Sequence, residues 1–268
     1  MNGYGQRRAA IVGATLGREF LSYRINRFLQ VHLALMLAVG LLALLAPPEA
    51  AAPGTAWWVF NSMAYVGSLS ALLFGLSSAQ AEVREFPLLF TQPLGTGEWV
   101  AGKALGLAAV MVPSASLLVL PTLIASGPSW ALLGAAAAAA GVGVLLGWLG
   151  LGLGLWVREP VRGLITALGA WCVLLFAVDF GLLVLGGSDW VHQNRAPWIA
   201  VLMLSPLDAY RVCLLFTLER AAFVDSELHP LTRWWLAHPV LWLAVCLALW
   251  SGASLALAVR AANRWRTQ

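Results

Sequence analysis

"GEWVAGKALG", residues 97–106, decides between two folds. Gly97, four intervening residues, Gly102 and Lys103 fit the phosphate-cradling loop G-x-x-x-x-G-K-[ST] up to its last position, where Ala104 replaces the magnesium-binding hydroxyl. A real loop of this kind follows a strand and opens a helix beside solvent. The flanking residues deny it that setting: nothing before Gly97 reads as a strand, and no acidic residue ends an apolar strand to help hold magnesium. Apolar residues make up 60% of the 268 and charged residues only 10%, and mean hydropathy is +0.81. A water-facing surface needs far more charge, since soluble domains carry about 25%. Lipid must cover most of this chain, and the Gly–Lys pair marks a turn re-entering a membrane.

Six spans follow from the hydropathy pattern: Phe28–Ala46, Trp57–Ala79, Val100–Ser126, Ser129–Val157, Val161–Gly187 and Pro239–Arg260. Each has about 19–29 residues, which at about 1.5 Å per residue crosses a hydrocarbon core with some tilt. The fourth contains "GAAAAAAGVGVLLGWLGLGLGLW", residues 134–156. Small residues allow close backbone approach, so this span is expected at the centre of a bundle. The first 27 residues carry Arg7, Arg8, Arg18, Arg24 and Arg27 ahead of an apolar stretch with no small-residue cleavage site, which reads as a retained arm.

Arg and Lys set the orientation. Arg84, Lys103, Arg158, Arg162, Arg260, Arg264 and Arg266 join the arm's arginines on one side, while the loops near 47–56 and 127–128 have none. The positive-inside rule puts both termini in the cytoplasm. Segment 188–238 then lies outside; its Arg195, Arg211, Arg220 and Arg233 do not overturn this, because longer loops translocate largely regardless of charge. Trp57, Trp58, Trp130, Trp190, Trp198, Trp234 and Trp235 gather at the outer ends as an aromatic belt. The pI near 9.3 thus reflects topology, and nucleic acid is not an expected partner, since no basic patch is interleaved with exposed aromatics.

The connection between spans two and three, "AQAEVREFPLLFTQPLGTGEWVAGK" at 79–103, is the most informative stretch. Glu82, Arg84 and Glu85 form a charged end to span two, followed by Phe86. Pro87 suits the first position of a new helix and Pro93 stops it. A helix of one to two turns over Pro87–Gln92 results, carrying Leu88, Leu89 and Phe90 on the cytoplasmic side. Three adjacent large apolar residues there need cover, either the headgroup region or a cytoplasmic partner.

An acidic cluster, leucines, "TQP", a glycine turn and "GK" resemble the cytoplasmic loop of ABC-2 type transporter permeases. In that family the loop forms the coupling helix seated on the ATP-hydrolysing subunit. The resemblance implies coupling roles for Glu82, Arg84, Glu85, Phe86, Pro87, Leu88, Leu89, Phe90, Gln92 and Pro93. It also implies six spans, cytoplasmic termini and an amphipathic N-terminal helix. "LGREFLSYRINRF", residues 16–28, fits the last feature, with Leu16, Phe20, Leu21, Tyr23 and Phe28 toward lipid and Arg18, Arg24 and Arg27 toward water. This chain has "LGTGE" where many members carry a basic residue after the proline. "LSPLDAYRVCLLF", residues 204–216, further resembles the "NPADAYR" stretch of the NosY-type permeases of nitrous-oxide reductase maturation. Ser205 is read as an N-cap with Pro206 at the first helical position and Asp208 three residues after the cap. Leu207, Tyr210, Arg211, Leu214 and Leu218 share one face. This helix is either interfacial and unpartnered or, by resemblance, an outer gate or a seat for a periplasmic accessory protein.

Other candidate chemistry is sparse. Cys172, Cys213 and Cys246 are far apart with no C-x-x-C, and read as packing thiols. His192, His229 and His238 fall in or beside the outer segment without metal-ligand spacing, so no metal site is assigned. Asp179 lies well inside span five, where a carboxylate faces the bundle interior, lines a path or reaches headgroup water.

The expected protein is all-α and polytopic: a cytoplasmic amphipathic arm over 1–27, a six-helix domain over 28–260 and a tail over 261–268. The coupling loop occupies 80–99 and the outer segment 188–238. By resemblance it sits in the bacterial inner membrane as a homodimer with two ATPase copies, which bind the ATP and magnesium; this chain holds no cofactor and no catalytic residue. The alternatives are a generic exporter of lipid, drug or polysaccharide, and a membrane scaffold or intramembrane enzyme without an ATPase.

Overall fold

Every element is a helix whose ends are written locally. The computed structural model describes residues 2–23, 26–45, 54–83, 95–127, 129–157, 159–185, 195–218 and 230–266. They form α1 (Asn2–Tyr23), α2 (Arg27–Leu42), α3 (Gly54–Asn61), α4 (Ser68–Val83), α5 (Thr96–Ser126), α6 (Trp130–Trp156), α7 (Pro160–Leu185), α8 (Arg195–Leu204), α9 (Pro206–Leu218), α10 (Pro230–Ala237) and α11 (Pro239–Arg266). A π-helical stretch, Ser62–Gly67, joins α3 to α4. Asn26 opens α2 by accepting from the N–H groups of Phe28 (2.9 Å) and Leu29 (3.3 Å). Ser129 does the same for α6 through Leu132 N–H at 3.1 Å. Gly127, at φ 82° and ψ 162°, ends α5 in a positive-φ conformation that suits glycine. Proline stands first in α7, α9, α10 and α11, where its missing N–H costs nothing.

Among the described residues, six helical stretches are long and apolar enough to cross a membrane: Arg27–Leu45, Trp57–Glu82, Thr96–Ala125, Trp130–Trp156, Pro160–Gly181 and Pro239–Trp265. Among the described residues there is no strand. Spans two, three and six run further than the hydropathy pattern alone places them, through Glu82, back to Thr96 and on to Trp265. For span two the reason is local: Glu82 is paired with Lys103 and buried rather than hydrated, so α4 need not stop at that charge.

α6 is the hub, packed against α4, α5 and α11. Its Gly143, Gly147, Gly150 and Gly154 recur at helical spacing along one side. Across the seam, a Cβ built on Gly150 would overlap Leu72 O, one on Gly154 would sit 2.7 Å from Ala79 Cβ, and one on Gly75 of α4 would overlap Gly147 O. The two backbones touch because neither helix carries side chains there, which is how helices associate where lipid cancels the hydrophobic drive. A second close approach lies between α2 and α5. A Cβ on Gly40 would stand 2.7 Å from both Leu117 O and Leu118 O. Pro121, inside α5, lacks the N–H that Leu117 O would otherwise receive, leaving that carbonyl available to the neighbour.

The contacts also fix which helix ends lie together. Arg18 and Lys103 both reach Glu82, Thr96 bonds Asn263, and Trp265 Nε1 donates to Leu155 O at 2.8 Å. The ends of α1, α4, α6 and α11 and the start of α5 therefore share one side of the bundle. α3, α8, α9 and α10 occupy the other.

Candidate functional site

The opening stretch resolves first. Gly97–Lys103 is continuous helix within α5, and its Lys103 is 1% exposed. Gly95 stands at the N-cap, its N–H given to Glu98 Oε2 at 3.1 Å. Lys103 Nζ lies 3.0 and 3.1 Å from the Glu19 carboxylate oxygens and 2.9 Å from Glu82 Oε1. Arg18 donates to the same Glu82 oxygen. Two cations and two carboxylates thus balance each other at one end of the bundle. Burial pushes the Glu19 carboxyl up to about 7, against the pull of Lys103.

Glycines make this cluster possible. A Cβ on Gly102 would meet Thr15 Cβ at 2.7 Å, and one on Gly106 would meet Glu19 Cβ at 3.1 Å. α1 therefore lies against a small-residue groove on α5, one turn per glycine, and Lys103 rises between them. The sequence reading of α1 needs correction here. Phe20, Leu21 and Phe28 are exposed as expected of a lipid-facing stripe, but Tyr23 is 3% exposed and meets Phe74 edge-on at 5.2 Å. Arg18 pairs with Glu82 of the bundle while keeping part of its side chain in water. Glu82 is the one described member of the proposed coupling set; Arg84, Glu85, Phe86, Pro87, Leu88, Leu89, Phe90, Gln92 and Pro93 lie outside the described residues.

The second polar cluster sits at the opposite end and brings together residues that the sequence treated separately. Ser205 caps α9, accepting from Asp208 N–H at 3.3 Å, with Pro206 at the first helical position. Arg211 stands 3.6 Å from Asp179 of α7 and 3.5 Å from Asp208, with its guanidinium 4.9 Å from the centre of the Phe60 ring. Asp179 therefore pairs with the outer helix, while keeping nearly half its side-chain surface exposed. Tyr210 is fully buried and packs on Phe60 at 5.8 Å.

α8 and α9 meet at Ser205 with a bend of 91°. The carbonyls freed at that bend are claimed by α11: Trp242 Nε1 donates to Met203 O (2.7 Å), and Trp250 Nε1 (2.9 Å) and Cys246 Sγ (3.5 Å) to Leu204 O. Cys246 is seven residues into α11, so the bend lies about 10 Å inside that helix's outer end. The outer segment thus packs into the bundle as a bent helix pair. Nothing in the local sequence announces this depth.

A third polar site was missed in the sequence. His32 is buried in span one, with Nδ1 2.7 Å from Ser70 Oγ and Nε2 3.0 Å from Ser114 Oγ. Those hydroxyls also reach Val66 O and Met111 O, both at 2.7 Å. A neutral imidazole has one N–H, so one serine must donate to the ring rather than to its own helix. An ionisable residue inside a span was the available signal. His238 is exposed and stacks on Trp234 at 5.5 Å, and no group of three or more His, Cys, Asp or Glu side chains suits a metal among the described residues. Cys213 and Cys246 are buried and Cys172 is exposed.

Six apolar spans with paired charge at the two ends define a multi-pass α-helical membrane protein. The chain is similar to the probable ABC transporter permease protein NosY of Pseudomonas aeruginosa: 33% of residues are identical over 188, covering 64% of this chain and 65% of that protein. The chain thus spans a little under two thirds of that relative's length. This alignment supports a resemblance to an ABC permease of NosY type. No family model matches the chain.

Proposed function

We propose that this chain is the membrane subunit of an ABC-2 type transporter, acting as a homodimer with two copies of a separate cytoplasmic ATPase that binds ATP and magnesium. The observation that carries the reading is the alignment with a probable ABC permease over roughly two thirds of both chains. The fold supports it. The end of α4 and the start of α5 flank the loop that resembles a coupling helix, and they sit with the end of α11 on the side where arginine and lysine collect. That side is taken as cytoplasmic in an inner membrane. Closure of the ATPase pair on ATP would push the loop, and the small-residue seam between α4 and α6 would let span two move against the hub between two packings. Hydrolysis belongs to the partner, so this chain transmits and gates.

Within that class, the stretch 204–216 and the relative's name favour service to the copper–sulfur site of a periplasmic nitrous-oxide reductase over generic export. Disruption of the gene should then leave that reductase short of copper, with its polypeptide present at normal levels. A normally loaded reductase would return the chain to the generic class.

The coupling assignment has a direct test. Co-expression with an ABC ATPase from the same genome, followed by pull-down from detergent, should recover both chains when that ATPase is the partner. Burying Leu88, Leu89 and Phe90 against a partner contributes about 1.5–3 kcal/mol each. Leu89→Glu should therefore insert normally and lose the ATPase, since it removes that burial and strands a charge at the contact. Full retention of the ATPase by Leu89→Glu would refute the docking role of 87–92.

A further inference from the structure

The cluster of Arg18, Glu19, Glu82 and Lys103 joins three elements whose connection has a mechanical consequence. Glu82 lies at the last turn of α4 and Lys103 in the second turn of α5, so the two residues stand on the helices that enter and leave the loop 84–94. Glu19 and Arg18 lie on α1, which is outside the six spans. Lys103 Nζ contacts both carboxylates within 3.1 Å while 1% exposed. Packing reinforces the charges: Gly102 and Gly106 admit Thr15 and Glu19 against the α5 backbone, and Tyr23 packs edge-on to Phe74 of α4. We propose that this cluster makes α1 a moving part of the transporter, latched to both walls of the coupling loop so that displacement of the loop carries α1 with it.

The physical argument is one of stiffness. A helix resting on lipid through Phe20 and Leu21 alone would slide independently of the spans, because exposed apolar contacts have no fixed register. Three close charged contacts to one buried ammonium do have a register. Shifting α1 relative to α5 would separate Lys103 from Glu19 and leave uncompensated charge in a water-poor site, which is strongly unfavourable. α4, α5 and α1 therefore move as one body at this end. Arg18, with 41% of its side chain exposed, closes the latch at its wet edge.

The proposal rests on the transporter reading above, and its test separates the two. The chain is freed of Cys172, Cys213 and Cys246 and spin-labelled at Gly13 on α1 and at Gly134 on α6. Nothing lies within 4 Å of the added Cβ at either site. A second pair uses Ala101 on α5 in place of Gly134. Distances are measured in lipid nanodiscs with the ATPase, with and without ATP. The latch predicts an ATP-dependent change in the 13–134 distance while 13–101 stays constant. In Lys103→Met the 13–101 distribution broadens, the ATP-dependent 13–134 change is lost, and the ATPase still co-purifies at the wild-type level. Arg18→Gln, which touches only the exposed edge, is the second variant should Lys103→Met not fold, and predicts a smaller broadening of the same kind. A constant 13–134 distance in the wild type, or a wild-type ATP response in both variants, overturns the latch. Absence of the ATPase from the wild-type preparation refutes the transporter reading instead, and the 13–101 distributions without nucleotide still judge the tie between α1 and α5.

Discussion

Gly154→Ala adds one methyl group at the seam between α6 and α4, and the structure gives the size of the conflict. The new Cβ would stand 2.7 Å from Ala79 Cβ and 2.9 Å from Leu76 O, where ordinary contact begins at 3.4 Å. The shortfall is therefore about 0.7 Å on one side (3.4 minus 2.7) and about 0.5 Å on the other (3.4 minus 2.9). No rotamer relieves it, because a methyl group and a helical backbone carbonyl have no side-chain freedom to give. The helices must part or bend along the seam, and overpacking of this kind costs about 1–3 kcal/mol. The same substitution at Gly169 on α7 or Gly252 on α11 meets nothing within 4 Å. There, alanine should stabilise by roughly 0.5–1 kcal/mol through helix propensity alone. Thermal unfolding of the detergent-purified variants, followed by size-exclusion recovery, should therefore show opposite signs: a lowered midpoint for Gly154→Ala and an unchanged or raised one for the two controls. A Gly154→Ala protein as stable as the controls would refute close helix approach as the basis of the seam.

Four further outcomes are expected. Cysteines introduced at Gly54 and Gly97 should label from opposite sides of the membrane in a chain lacking its own cysteines, the latter only after permeabilisation; labelling from one side would break the six-span topology. Arg211 and Asp179 are partly exposed, so a double-mutant cycle with Arg211→Gln and Asp179→Asn should give a coupling of about 0.2–1 kcal/mol in thermal stability, and a value several times larger would mean the pair is sealed from water. Replacing both Ser70 and Ser114 by alanine strands the His32 ring and should cost about 1–3 kcal/mol, more than His32→Leu, whose serines keep their backbone carbonyls; the reverse order in melting midpoints would count against the hydrogen-bonded bridge. Glu19 has its folded pKa raised to about 7 from an ordinary 4.5, so the folded state binds the extra proton and stability from this group falls as pH rises through that window. Glu19→Gln should flatten the wild-type decline between pH 5 and pH 7.5, and an unchanged slope would contradict it.

The spans were legible because composition enforces them: a run such as residues 134–156 has no water-soluble use, and lipid thickness sets its length. The central place of α6 was also legible, since a glycine side of that regularity has no other function in a membrane. What the sequence concealed are contacts between distant residues. Glu19, Glu82 and Lys103 show no shared period or spacing, and each read singly belongs to a different local feature: an amphipathic stripe, a charged loop end and a broken nucleotide motif. Only the folded bundle reveals that they are one site. Asp179 and Arg211 were each noticed, but their pairing depends on how deeply the bend at Ser205 enters the bundle. That depth is decided by Trp242, Cys246 and Trp250, whose spacing in α11 says nothing of Met203 and Leu204. His32 was readable as a lone histidine within an apolar span, but its serine partners lie 38 and 82 residues away and carry no local signal.

The long reach of the Lys103 cluster bears on the order in which the chain is built. Glu19 precedes its ammonium partner by 84 residues and Glu82 by 21. During synthesis α1 thus emerges with neither Lys103 nor its glycine seat in existence, and two spans must enter the bilayer before both appear. Through that interval the helix lacks its α5 seat, and lipid beneath Phe20 and Leu21, which stay outward in the finished fold, together with Phe74 and Glu82 of α4, is what can hold it. Arrival of α5 then withdraws Glu19 from the headgroups into its final pairing. α1 is thus made well before the seat it finally occupies, so truncating the chain before Lys103 should leave α1 open to protease in nascent membranes, and extending it past Gly106 should close it.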